Sequence, residues 1–164
     1  GFCGGMAHMV THAVMKITLF FCAGAIMHQT NKEYIYELKG IGRSMPFVMG
    51  CFTIGSAAVM GVPLLCGFVS KWTILTAAVT SQNGYAMLGV AAILFSAFLT
   101  AVYLFSIVVK AFFRTENLTG TVKNQDPNWY MKAPLVLLTV AVILIGVYSG
   151  PLLRFLEQIA FGRI

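Results

Sequence analysis

Hydrophobic residues run along this chain in four long blocks separated by polar stretches, the pattern of membrane-spanning helices. The first block, Met6–Met27, is long enough to cross a hydrocarbon core of about 30 Å at about 1.5 Å per residue. The second, Phe47–Thr80, is too long for one simple span and is interrupted near Gly61-Val62-Pro63 and Gly67. The third, Gly84–Phe113, has length to spare for tilt. The fourth, Ala133–Ser149, opens at a proline and ends at Gly150-Pro151. The tail Leu152–Phe161 alternates at near-helical spacing and is expected to lie as a short helix in the interface. The pattern predicts an all-α, polytopic transmembrane bundle of about four spans, one of them broken. It forms a single membrane domain over residues 1–164, with no internal repeat or low-complexity tract.

Composition agrees. The chain is 59% hydrophobic and 10% charged, with a mean hydropathy of +0.84, far more apolar than a soluble domain. The net charge of +6 does not point to nucleic acid, because the bases sit mostly between apolar runs. Lys32, Lys39 and Arg43 occupy the first loop, and Lys110, Arg114, Lys123 and Lys132 the stretch before the last block. The turn from Ser81 to Gly84 is uncharged. Both basic loops therefore belong on the cytoplasmic or matrix side; Arg154 and Arg163 run against that assignment. Trp129 and Tyr130 suit an aromatic belt, and Glu33 and Glu37 one face of a solvated short helix. Glu33, Glu37, Glu116, Asp126 and Glu157 all lie outside the apolar blocks. The cysteines Cys3, Cys22, Cys51 and Cys66 show no paired spacing, so they read as small packing residues.

The first block nevertheless contains His8, His12 and Lys16 at i, i+4, i+8. That spacing sets them on one slowly drifting face of a helix, at steps of about 6 Å. A charge at mid-bilayer costs roughly 2.5–3.5 kcal/mol on insertion scales, so such residues face a bundle interior or a water-filled path. With an unperturbed pKa of about 6.5, histidine is the natural intermediate of a proton track.

The second constellation is Gly61–Trp72, GVPLLCGFVSKW. Pro63 lacks an N–H and clashes with the Val59 carbonyl, so the helix must kink or stop. Gly67 adds backbone freedom. Broken helices at membrane depth mark ion sites, and the freed carbonyls are expected to bind water. Ser70 is a candidate N-cap for a second half-helix, which puts Lys71 in its first turn, at the positive end of the dipole.

The run His8-x-x-x-His12-Ala13-x-x-Lys16-x-x-Leu19-Phe20, followed by Gly24, resembles a helix of the antiporter-like proton-conducting membrane subunits. So does Leu38-x-Gly40-x-Gly42-Arg43-x-Met45-Pro46, leading into Gly61-Val62-Pro63 and Gly67-Phe68-x-Ser70-Lys71. That family comprises the large membrane-arm subunits of respiratory complex I and their relatives in membrane-bound hydrogenases and multisubunit sodium/proton antiporters. The resemblance covers His8 to about Phe113. It implies an inverted-repeat transporter fold in which Lys16 is a central-axis lysine, His8 and His12 extend the path, and Lys71 serves the exit of a half-channel. It also implies an energy-transducing membrane such as the cell inner membrane, other membrane subunits as partners, and protons, with Na+ as second candidate, as the ion moved. Leu64 stands where many members carry a second proline.

The chain begins at Gly1 without a signal-peptide pattern and reads as the later part of a longer membrane protein, lacking a first repeat. No quinone, flavin, nucleotide or iron–sulfur motif is present, so no cofactor is expected and any redox chemistry falls to partner subunits. Three alternatives remain: a sodium/proton antiporter component, a truncated bundle with a purely structural role, and an intramembrane metalloenzyme using His8 and His12. The last is short of the three or four ligands a metal site needs.

Overall fold

The computed structural model describes residues 2–31, 34–81, 84–113 and 126–161. Lys32, Glu33, Arg114, Glu116, Lys123 and Arg163 lie outside them. Helix α1 (Phe2–Thr30) is followed by a 3₁₀ turn (Ile35–Leu38) and the short α2 (Ile41–Ser44). Then come α3 (Pro46–Met60), α4 (Cys66–Thr80), α5 (Gly84–Phe113), α6 (Trp129–Val147) and α7 (Ser149–Phe161). Among the described residues three helices, α1, α5 and α6, are long and apolar enough to cross a membrane. Helices α3 and α4 are 15 residues each, about 22 Å at helical rise, so a full crossing needs both in succession. The chain is an all-α, multi-pass integral membrane protein.

Helix α1 is the centre of the bundle because its inward stripe is small. Gly4, Ala7, Thr11, Met15, Thr18, Cys22 and Ala25 are buried at steps of three or four residues, and the small members of that stripe let neighbouring backbones approach closely. It runs antiparallel to α3 and α4: Gly4 faces Ile74, Met15 faces Gly67, and Leu19 faces Gly55. One apolar cluster joins Cys22, Ile26, Met45, Val48 and Met49 to Ala111 and Leu135; a second joins Met15 to Ala58, Cys66 and Val142 beside the break.

The described residues that flank the two basic loops come to one end. The Gly40 N–H donates to the Lys110 carbonyl at 3.4 Å, the Phe112 ring lies against Gly42, and Lys132 sits 5.3 Å over the Phe47 ring and 4.0 Å from Asp126. Several element boundaries differ from the sequence expectation. Helix α1 extends beyond Met6–Met27 at both ends, and α6 starts at Trp129 instead of Ala133. Pro134 is therefore inside α6. The bond it forgoes would reach the carbonyl of Tyr130, an exposed residue of the first turn, where the loss is small. Helix α7 turns Leu152, Leu153, Leu156 and Ala160 inward and Arg154, Glu157 and Gln158 outward.

Candidate functional site

The break after α3 is a closed hydrogen-bonding unit. A helix leaves its last four carbonyls without intrahelical partners. Gly61, at φ +96°, adopts the left-handed conformation that ends a helix in a Schellman turn. Its N–H donates to the Ala58 carbonyl at 3.1 Å, and the Val62 N–H to Ala57 at 3.0 Å. The remaining two carbonyls belong to Val59 and Met60. Lys71 Nζ donates to both, at 2.7 and 3.2 Å. The carbonyls expected to bind water are thus held by the lysine itself.

Two other expectations are corrected here. Ser70 is not an N-cap and Lys71 is not in a first turn: α4 begins at Cys66 with Leu65 as its N-cap residue. The helix starts earlier because Pro63 precedes it and nothing after Leu65 interrupts the backbone ladder. Gly67 is not part of the break either. It lies inside α4, where a Cβ would overlap the Ala58 carbonyl oxygen and press on Met15 Sδ. Its missing side chain lets α4 pack against the end of α3. The left-handed residues of the break are Gly61 and Leu64, the latter at φ +74°.

The ionisable row of α1 meets this break at one end only. His8 Nδ1 lies 3.0 Å from Ser70 Oγ, and the Thr11 hydroxyl lies 3.1 Å from the same oxygen. The His8 and His12 rings pack with centroids 5.5 Å apart. A cavity of about 320 Å³ between α1, α4 and α5 is lined by both His8 and Lys71, with Ile74, Ala92, Ile93, Ser96 and Ala97 completing the wall. Each i to i+4 step turns about 40° around a helix axis, so the row leaves the α4 seam as it climbs. His8 and His12 are half-buried, and Lys16 is exposed. The structure brings His8, His12 and Lys71 together; Lys16 stands at the outer end of the row.

Thr11, Ser70 and Ser96 were not legible as site residues. The available signal was the burial expected of Thr11 between His8 and His12 on α1, together with a serine beside Lys71. Among the described residues no three His, Cys, Asp or Glu side chains gather as a metal-binding group.

Residues 1–100 match the transmembrane family described as NADH:quinone oxidoreductase/Mrp antiporter. The chain is 36% identical over 151 residues to NADH-quinone oxidoreductase subunit L of Rickettsia conorii, covering 91% of this chain and 22% of that protein. It is 35% identical over 140 residues to NADH-ubiquinone oxidoreductase chain 5 of Aedes aegypti, covering 85% and 24%. With NADH-quinone oxidoreductase subunit N of Desulforudis audaxviator it shares 26% identity over 168 residues, covering 96% and 33%. The chain thus spans about a quarter to a third of the length of these curated relatives. The fold is also similar to a chain of the Mrp complex from a Dietzia species, with a TM-score of 0.81 at 19% identity over 95% of this chain and 36% of that one. The chain belongs to the NADH:quinone oxidoreductase/Mrp antiporter transmembrane family.

Proposed function

We propose that this chain is part of a proton-translocating membrane subunit of a complex I-like, hydrogenase-linked or multisubunit antiporter assembly, in an energy-transducing membrane beside other membrane subunits. Its contribution is one stretch of the proton path, running between Lys71 and Lys16 through His8 and His12. The observation that carries this reading is the cavity shared by His8 and Lys71, continued by the packed rings of His8 and His12. Each step joins groups able to hold and release a proton; His8, His12 and Lys71 are half-buried among the helices, and Lys16 continues the row at the exposed outer face of α1. The acidic residues all lie outside the spans, so a hard cation would find no carboxylate ligand here, whereas a proton needs only an amine or imidazole.

The test is transport by the full-length parent protein in its assembled complex. Lys71→Arg keeps a positive charge and hydrogen-bond donors but cannot release a proton in the physiological range. The variant complex is expected to assemble and to lose proton transport. Parental transport with Lys71→Arg would overturn the reading.

A further inference from the structure

The His8–Ser70–Thr11 cluster has a definite hydrogen count. A serine hydroxyl carries one donor hydrogen and two acceptor lone pairs. Ser70 Oγ, fully buried, reaches three partners: the Gly67 carbonyl at 3.3 Å, the Thr11 hydroxyl at 3.1 Å and His8 Nδ1 at 3.0 Å. A carbonyl only accepts. With the serine hydrogen on Gly67, the two lone pairs face Thr11 O–H and His8 Nδ1–H, and every contact is satisfied. Thr11 can also turn its hydrogen to the Ala7 carbonyl at 2.9 Å without disturbing the histidine. If the serine hydrogen points at Nδ1 instead, the Gly67 contact is lost. The ring could then take up a proton at Nδ1 only after the buried hydroxyl had turned.

We infer that Ser70 is a positioning residue that keeps His8 protonated at Nδ1, so that His8 exchanges protons through Nε2 alone. This rests on the relay reading above and adds the atom at which His8 works. A proton leaving the Lys71 ammonium adds to the Nε2 lone pair, giving a neutral amine and an imidazolium whose Nδ1–H still donates to Ser70. Loss of that proton from Nε2 to the neutral His12 ring restores neutral His8 and charges His12. Neither step requires the buried hydroxyls to move. With Nδ1 engaged by Ser70, Nε2 is the nitrogen left to serve the cavity that His8 and Lys71 both line.

The experiment uses the full-length parent chain in its assembled complex, with ¹⁵N-labelled histidine and the His8 signals assigned by their loss in His8→Gln. At alkaline pH the neutral His8 ring is expected to show a protonated Nδ1 and a bare Nε2. Ser70→Ala should move it towards the opposite tautomer, and Ser70→Thr, which keeps the hydroxyl, should restore the parental spectrum. A bare Nδ1 in the parent, or an unchanged spectrum in Ser70→Ala, overturns the inference. Transport should fall roughly three- to tenfold in Ser70→Ala, as for one lost buried hydrogen bond. It should fall no further when Ser70→Ala is added to His8→Ala, because the serine acts through the histidine. Additive losses would mark Ser70 as a packing residue and overturn the inference. Parental transport in His8→Ala would instead sink the relay reading, leaving the tautomer spectrum to decide the role of Ser70.

Discussion

Lys71 closes the last turn of α3 from the helix that follows it, its Nζ 2.7 Å from the Val59 carbonyl. The side chain to which we assign one end of the proton path is therefore also the C-terminal cap of a broken helix. As an ammonium it offers three hydrogens and a charge to a dipole end that favours cations. As a neutral amine it keeps two hydrogens but loses the charge assistance that makes such bonds strong. On the proposed relay, proton release at Lys71 is thereby coupled to a weaker grip on the break.

That dual role separates two substitutions. Lys71→Arg retains donors for the Val59 and Met60 carbonyls, so the complex should assemble with near-parental thermal stability while transport is lost. Lys71→Met leaves both carbonyls uncapped, at a cost of about 1–3 kcal/mol for each that stays buried and unsatisfied. Thermal unfolding should begin measurably lower than in the arginine variant. Equal stability of the two would show that the lysine does not hold the break.

Gly67 provides a purely steric test. A Cβ there would overlap the Ala58 carbonyl oxygen, which is backbone and cannot swing away. Gly67→Ala should cost about 1–3 kcal/mol or prevent assembly, by forcing α4 off the end of α3. Gly50, with nothing within 4 Å of the same added atom, is the control. Gly50→Ala should be neutral or stabilising by up to about 1 kcal/mol, from helix propensity. Equal behaviour of the two variants in membrane yield and thermal stability would contradict the close approach.

Leu64 carries a different kind of strain. At φ +74° it occupies a region that costs a non-glycine residue roughly 1–3 kcal/mol. A proline, fixed near φ −65°, cannot occupy that conformation. Leu64→Gly should raise the unfolding temperature of the assembled protein, and Leu64→Pro should lower it. The reverse order would mean that the break adopts another backbone.

The helical blocks were legible because apolar length is set by the membrane, and the break because Pro63 cannot continue a ladder. The identity of the cap was not. A lysine twelve residues beyond Val59 reaches back only once the chain has turned, and no local pattern records that. The same holds for Ser70, whose sequence neighbours suit an N-cap while two of its three partners sit on α1. Gly67 read as a flexible point from its type alone. Its role is decided by Ala58 and Met15, which arrive from two other places in the chain.

The histidines should share their load unequally with packing. His8 is tied to α4 through Ser70, whereas His12 packs its ring against that of His8. Either alanine substitution should lower transport in part, since water can substitute for one ring, and the double variant should lower it further. His8→Ala should also loosen the α1–α4 seam and reduce thermal stability by about 1 kcal/mol, the worth of one buried hydrogen bond. Parental transport by the double variant would reduce both residues to packing.

Lys16 sits at the other end of the row, and its exposure decides what its removal does. The steady rotation of an i, i+4, i+8 series carries the row about 80° around α1 between His8 and Lys16. By Lys16 the side chain has left the seam with α4 and stands on the outer face with Met9, Ile17 and Phe20. No carbonyl or carboxylate among the described residues depends on it. Lys16→Ala should therefore leave assembly and thermal stability near the parental level, in contrast to Lys71→Met, while proton transport falls sharply. Lys16→Arg should fail equally, because a guanidinium keeps its proton, and this outcome separates proton transfer from a requirement for positive charge alone. Transport rescued by arginine would make Lys16 an electrostatic residue. Transport unaffected by alanine, in complex shown to be assembled, would end the path before this residue.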